Sequence, residues 1–307
     1  MRPLVFLSVL LIGCYAPDYT QKACVDNFGC PNGYSCKDGF CGTLAPTLSR
    51  CQEDTSCGAG QKCRNGVCLS LPKDVRVDPP AAALLVGYSL QDMNTVNDYP
   101  AHYRTISASY YLDDREVTVE RYQECVDAGG CLPIHIDMDN KDCNGGKPER
   151  LKHPVNCVDL KRAESYCVFI GRRLPTETEW EYAARGDSSA NLYPWGRDFI
   201  EANACWNQPS SCEAGSKVRT YLGAEVTGDV AGFYDLAGNV WEWTSSEFCP
   251  YNTVMKEGMG CMSDAHVIRG GAAFQTSSSN FLRSTARLGN LTTDTGPSTT
   301  AGKSGWH

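Results

Sequence analysis

Two carboxylates on either side of a Gly-Asn turn carry the clearest chemical signal in this chain: Asp235 and Glu242 in Asp235-Leu236-Ala237-Gly238-Asn239-Val240-Trp241-Glu242. A turn at Gly238-Asn239 lets both acids converge on one point with free carbonyls between them. That suits a hard cation, which takes about six to eight oxygen ligands. The competing arrangement is a hairpin turn whose Trp241 and Trp243 enter a core while the acids face solvent. Cysteine is the other reactive type, and 18 of them imply an oxidising compartment unless they bind metal. Histidine offers little: His102, His135, His153, His266 and His307 are scattered, with no H-x-x-H-type pair. Neither a phosphate-cradling glycine loop nor a G-x-S-x-G elbow occurs.

The elements that would position these groups are partly readable. Tyr110-Tyr111-Leu112 predicts a strand, and Glu116–Tyr122 leads into a helix that stops at Gly129-Gly130. A second helix starts from Asp159 as N-cap, with Ala163, Tyr166, Cys167 and Ile170 at i/i+3/i+4 spacing, and ends at Gly171. A third opens at Thr176 with Glu179 three residues on, a capping box, and ends at Gly186. Trp180 and Ala184 belong on its core side. From Tyr193 onward helical periodicity disappears, and glycine, proline and aromatics dominate. The expectation is an irregular, loop-rich α+β domain with short strands.

Three blocks in order carry a resemblance: Arg172-Arg173-Leu174-Pro175-Thr176-Glu177-Thr178-Glu179-Trp180-Glu181-Tyr182-Ala183-Ala184-Arg185-Gly186, then Gly232-Phe233-Tyr234-Asp235 through Trp243, then Arg269-Gly270-Gly271. Over about residues 84–290 the chain resembles the formylglycine-generating enzyme (sulfatase-modifying factor) family. The resemblance implies a variant of the C-type lectin fold. It also implies a copper-dependent oxidase that turns the cysteine of a Cys-x-Pro-x-Arg segment into formylglycine. Two cysteines near the C-terminus would hold the copper, and aligning Arg269-Gly270-Gly271 and Thr285-Ala286-Arg287 puts Ser279 and Ser284 there. A hydroxyl is a hard, weak ligand that does not replace thiolate toward Cu(I), and no cysteine follows Cys261. Copper is therefore not expected. The resemblance also makes Asp235, Gly238, Val240 and Glu242 calcium ligands, through two side chains and two carbonyls. Asn203 and Ala204 begin a weaker second calcium site, with Glu213 as the only nearby acid. The scattered histidines also speak against the iron-dependent sulfoxide synthases that share the fold, which need a separate histidine-bearing domain.

Nine cysteines lie in this region. Cys205/Cys212 and Cys249/Cys261 bracket short loops and predict two local bridges, while Cys125, Cys131, Cys143 and Cys157 admit three pairings. Cys167 is left over; in the family its counterpart pairs with a C-terminal cysteine. After Gly296 the chain departs from the family, which a frameshifted or truncated end, or else genuine divergence, would explain.

Upstream, Cys24, Cys30, Cys36 and Cys41 repeat the spacing of Cys51, Cys57, Cys63 and Cys68. Asp38-Gly39 and Asn65-Gly66 predict hairpins in two disulfide repeats over residues 24–68; zinc usually wants closer spacing. Such modules serve as spacers or contact surfaces. Residues 69–83 read as a linker, and the large domain spans 84–307. At the start, an apolar run Leu4–Ile12 ends in Leu11-Ile12-Gly13-Cys14, which looks like a bacterial lipobox: signal peptide 1–13, lipidated Cys14 and a tether over 14–23. The expectation is an exported, membrane-anchored lipoprotein in the periplasm or at the cell surface. A net charge of −8 argues against a nucleic-acid partner. The leading reading is a non-catalytic binding or scaffold module, with a protein, peptide or glycan as its ligand. The rivals are an oxidase and a broken gene product.

Overall fold

The computed structural model describes residues 34–37, 40–43, 49–64, 66–71, 73–89, 97–134, 143–208, 211–215, 232–251, 261–273, 278–291 and 304–305. Cys14, the signal and tether segments, the cysteine side chains of the first repeat and most residues after Gly296 lie outside them. The chain forms two compact units, Met1–Thr47 and Leu48–His307.

The first unit contains the hairpin of β1 (Tyr34–Lys37) and β2 (Phe40–Thr43), closed where Lys37 faces Phe40. In the second unit β3 (Gln61–Arg64) and β4 (Val67–Ser70) close in the same way, with Arg64 facing Val67. In each hairpin the paired strands flank the Asp-Gly or Asn-Gly pair that the sequence analysis took as its turn. Interlaced bridges, Cys51–Cys63 and Cys57–Cys68, staple the second repeat.

That repeat is part of the large unit's core. Val67 and Leu69 are buried in one cluster with Val117, Tyr122, Trp241 and Trp243, and the Ser70 amide donates to Glu124 Oε2 at 3.2 Å. The expected linker over 69–83 is also corrected: β5 (Asp74–Val77) pairs antiparallel with β8 (Tyr110–Asp113). Val75 and Val77 pack against Leu112, Trp180, Phe233 and Leu236, and Arg76 between them is exposed. The prolines flank this strand instead of interrupting it. β6 (Leu84–Val86) pairs with β7 (His102–Arg104) in a further two-stranded sheet.

Three helices follow their capping signals. α1 (Val119–Asp127) starts from Thr118. α2 (Leu160–Phe169) starts from Asp159, whose carboxylate accepts from Arg162 N at 2.8 Å. α3 (Glu177–Arg185) has the full capping box: Thr176 Oγ1 accepts from Glu179 N, and Glu179 Oε2 accepts from Thr176 N. Gly186 ends it with φ 69°, a conformation that favours glycine.

A four-stranded sheet in the order β11-β10-β9-β12 completes the unit: β9 (Trp241–Phe248), β10 (Met262–Arg269), β11 (Leu288–Leu291) and β12 (Ser304–Gly305). Its pairings are antiparallel except β12 on β9. β9 and β10 are longer than the short strands expected. Both faces of the first half of β9 are buried, so it lacks the alternation that reveals a half-exposed strand.

The disulfides are Cys205–Cys212 and Cys249–Cys261, as the spacing suggests, with Cys125–Cys131 and Cys143–Cys157 resolving the open choice. Six bridges among the described residues fit an oxidising compartment, the setting of extracellular and exported proteins. No helix among the described residues is long and apolar enough to cross a membrane.

Because Leu69 belongs to the shared core, Leu69→Ala should lower the stability of the whole second unit by about 2–5 kcal/mol. Denaturant unfolding followed by tryptophan fluorescence reads this. An unchanged midpoint would mean the second repeat is not part of that core.

Candidate functional site

The segment carrying the sequence's best acids sits on a buried ionic clasp. Arg269, at the end of β10, has no exposed surface. Its Nη2 donates to Glu181 Oε2 at 3.0 Å and to the Tyr251 hydroxyl at 3.1 Å. Its Nη1 donates to the carbonyls of Ser284, Thr285 and Ala286 at 3.2, 2.9 and 3.2 Å. Glu181 is equally buried and also pairs with Arg185 at 2.7 Å and accepts from Gly87 N at 2.8 Å. Arg287 Nε reaches Glu177 Oε2 at 3.0 Å, and its guanidinium lies 4.0 Å from the Tyr251 ring centroid. The first and third blocks of the resemblance thus meet in three dimensions.

Beside this clasp lies the Asp235–Glu242 turn. The Gly238 amide donates to Gly270 O, and the Asn239 amide to Cys205 O, both at 2.8 Å. Gly238 has φ 94°, and a Cβ there would fall 2.5 Å from Cys205 O, so only glycine fits. Asn239 holds the turn through its side chain, accepting from Cys212 N at 2.8 Å. Val240 is buried where β9 begins. Asp235 and Glu242 are both buried, against the solvent-facing alternative. Asp235 accepts from the Gly215 amide, and Glu242 Oε2 from Trp180 Nε1 at 2.6 Å.

A third acid, Glu116, joins them. It is fully buried, and neither carboxylate oxygen has a hydrogen-bond partner among the described residues. Burial pushes its pKa well above the usual glutamate range, and the charges of Asp235 and Glu242 push it further, with Asn239 as the chief opposing group. Sequence reasoning missed Glu116 because it reads as the lead-in to α1, far along the chain from its partners. The donor set is chemically right for calcium: buried oxygens, several anionic, one carboxylate unsatisfied. The three acids are not drawn up into a closed cage, however. Among the described residues the only trio of ligand-type atoms within 4.8 Å is Cys51, Cys57 and Cys68, all in disulfides.

The weaker calcium candidate gains nothing. Asn203 ends a short 3-10 turn, Ala204 is buried beside it, and Glu213 is exposed. Ser279 begins another 3-10 turn, Ser279–Leu282, and is half-buried. Ser284 is fully buried, its hydroxyl has no partner among the described residues, and its amide donates to Leu192 O at 2.8 Å. The one free cysteine among the described residues is Cys167, buried in α2, and burial followed by the charge of Asp113 pushes its thiol pKa far up. A centre needing two thiolates does not fit these residues.

Comparison with known proteins agrees with this geometry. Residues 71–300 match the sulfatase-modifying factor enzyme 1-like domain, and residues 23–70 match a domain of unknown function. The chain is 35% identical over 153 residues to the inactive C-alpha-formylglycine-generating enzyme 2 of Bos taurus, covering 47% of this chain and 48% of that protein. It is 37% identical over 120 residues to the formylglycine-generating enzyme of Mycobacterium tuberculosis, covering 37% and 40%. The chain thus spans about half or less of these curated relatives. The structure of PvdO from Pseudomonas aeruginosa superposes with a TM-score of 0.59 over 76% of this chain and 92% of that one, at 22% identity. This last likeness is one of fold.

Proposed function

The chain belongs to the sulfatase-modifying factor enzyme 1-like family, and from that premise we propose that it is a non-catalytic binding module, not a formylglycine-generating oxidase. Serine at positions 279 and 284, where the family resemblance calls for two cysteines, carries this reading, beside a single free thiol among the described residues. No cysteine follows Cys261, and Cys167 is a buried, high-pKa thiol in a helix. The relatives by themselves do not choose, since inactive and active proteins match at similar identity. Purified protein should leave a Cys-x-Pro-x-Arg peptide unchanged by mass spectrometry. Mass loss of the cysteine sulfur with gain of an aldehyde would overturn the reading.

Calcium at the Asp235–Glu242 turn is the second part of the proposal, supported by the burial of Asp235, Glu242 and Glu116 and by the unpartnered carboxylate oxygens of Glu116. A ligand at a hundred times its Kd stabilises the native state by about 2.7 kcal/mol. Excess calcium should therefore raise the melting temperature by several degrees over chelator, and the double variant Asp235→Ala, Glu242→Ala should lose that difference. Identical curves for the natural protein in both conditions would remove calcium from the account.

The third part is location. Gly13-Cys14 after a short apolar run supports a lipid anchor on an exported protein. Cys14→Ser should move the protein from the membrane pellet to the soluble fraction. A variant that still pellets, beside a natural protein without acyl mass, would contradict the anchor.

A further inference from the structure

A pocket of about 310 Å³, apart from both the clasp and the acidic turn, is lined by Tyr111, Leu112, Arg172, Arg173, Pro175 and Glu179. That size is at the small end for ligand sites. Its hydrogen-bonding inventory is one-sided. The Glu179 carboxylate already accepts four bonds, three at Oε2 from Arg173 Nη1, Thr176 N and Thr176 Oγ1 and one at Oε1 from Arg173 Nη2, which leaves only one side of Oε1 open. The Tyr110 hydroxyl donates to Glu179 O at 2.7 Å, and Arg172 is paired with Asp113.

Arg173 is only half used. Its Nη1 serves Leu174 O at 3.0 Å and Glu179 Oε2 at 2.8 Å, and one N–H of Nη2 serves Glu179 Oε1 at 2.7 Å. The Nε hydrogen and the second hydrogen of Nη2 meet no acceptor among the described residues. These two are the parallel side-on pair of the guanidinium, the pair that grips both oxygens of one carboxylate. The Arg173 side chain is 61% exposed, as is Tyr111, whose hydroxyl bonds to none of the described residues. Arg173 therefore keeps unused donors in a pocket whose lining also includes Leu112, Pro175 and Tyr111. Glu179 and Asp113 balance the two guanidinium charges, so a planar monoanion suits the site better than a phosphate dianion.

We propose that this pocket binds a small carboxylate whose apolar body lies on Tyr111, Leu112 and Pro175 while its two oxygens take the side-on pair of Arg173. The assignment rests on the binding-module reading and gives it a site and a ligand class. The probe is benzoate, with benzamide as its neutral isostere, titrated against the full chain by NMR. Benzoate should bind saturably and at least tenfold more tightly than benzamide. Arg173→Gln should weaken benzoate at least tenfold. So should Arg173→Lys, which keeps the charge but lacks the fork and serves if the first variant folds poorly. Tyr111→Ala should weaken it severalfold at an unchanged melting temperature. Equal binding of the two probes, no saturable benzoate binding, or benzoate binding indifferent to Arg173→Lys would each overturn the proposal. The peptide oxidation assay reads the non-catalytic claim separately, so failure at this pocket leaves that claim standing.

Discussion

One buried guanidinium organises the large unit. Arg269 ties the end of β10 to α3 through Glu181 and to the Ser284–Ala286 loop through three carbonyls. Glu181 in turn reaches Gly87 beside β6. Ions moved out of water cost several kcal/mol each, and only dense hydrogen bonding offsets that. Here the bonds link four segments distant in sequence. Removing one partner would strand a charge, at a cost of about 3–5 kcal/mol. This explains why the Arg-Leu-Pro-Thr-Glu block, the Arg-Gly-Gly block and the Thr-Ala-Arg segment occur together in one chain. They form a structural clasp that demands no catalysis.

The clasp also sets the context for the acidic turn. Trp180, on the same helix as Glu181, donates to Glu242, and Gly270, next to Arg269, accepts from Gly238. The turn's geometry is therefore set by the scaffold. The same helix start supplies Glu179, whose bonds to Thr176 and Arg173 occupy most of its acceptor capacity and leave the neighbouring pocket rich in donors. Local folding requirements thus shape what each site has left to offer a ligand.

Much of this was legible in the sequence where the cause is local. Asp159 and Thr176 as caps act over a few residues and appear where expected, and the two expected hairpins pair their strands on either side of the Asp-Gly and Asn-Gly pairs. Features made by distant segments were not legible. Val75 and Val77 look like linker residues until β8 is placed beside them. β9 hides because both its faces are covered. Glu116 becomes part of the acidic site only once α1's lead-in packs against the turn, and Arg173 shows its unused side-on pair only after Glu179 is seen to occupy its other edge.

The central claim is that this family scaffold persists without the family's soft-metal centre. Copper(I) competition titration tests it most directly, run against a chromogenic Cu(I) chelator with ascorbate as reductant so that the disulfides stay intact. The account predicts that the chelator retains its copper and that the natural protein and Cys167→Ser behave alike. Stoichiometric withdrawal of copper from the chelator by the native, disulfide-intact protein would contradict it.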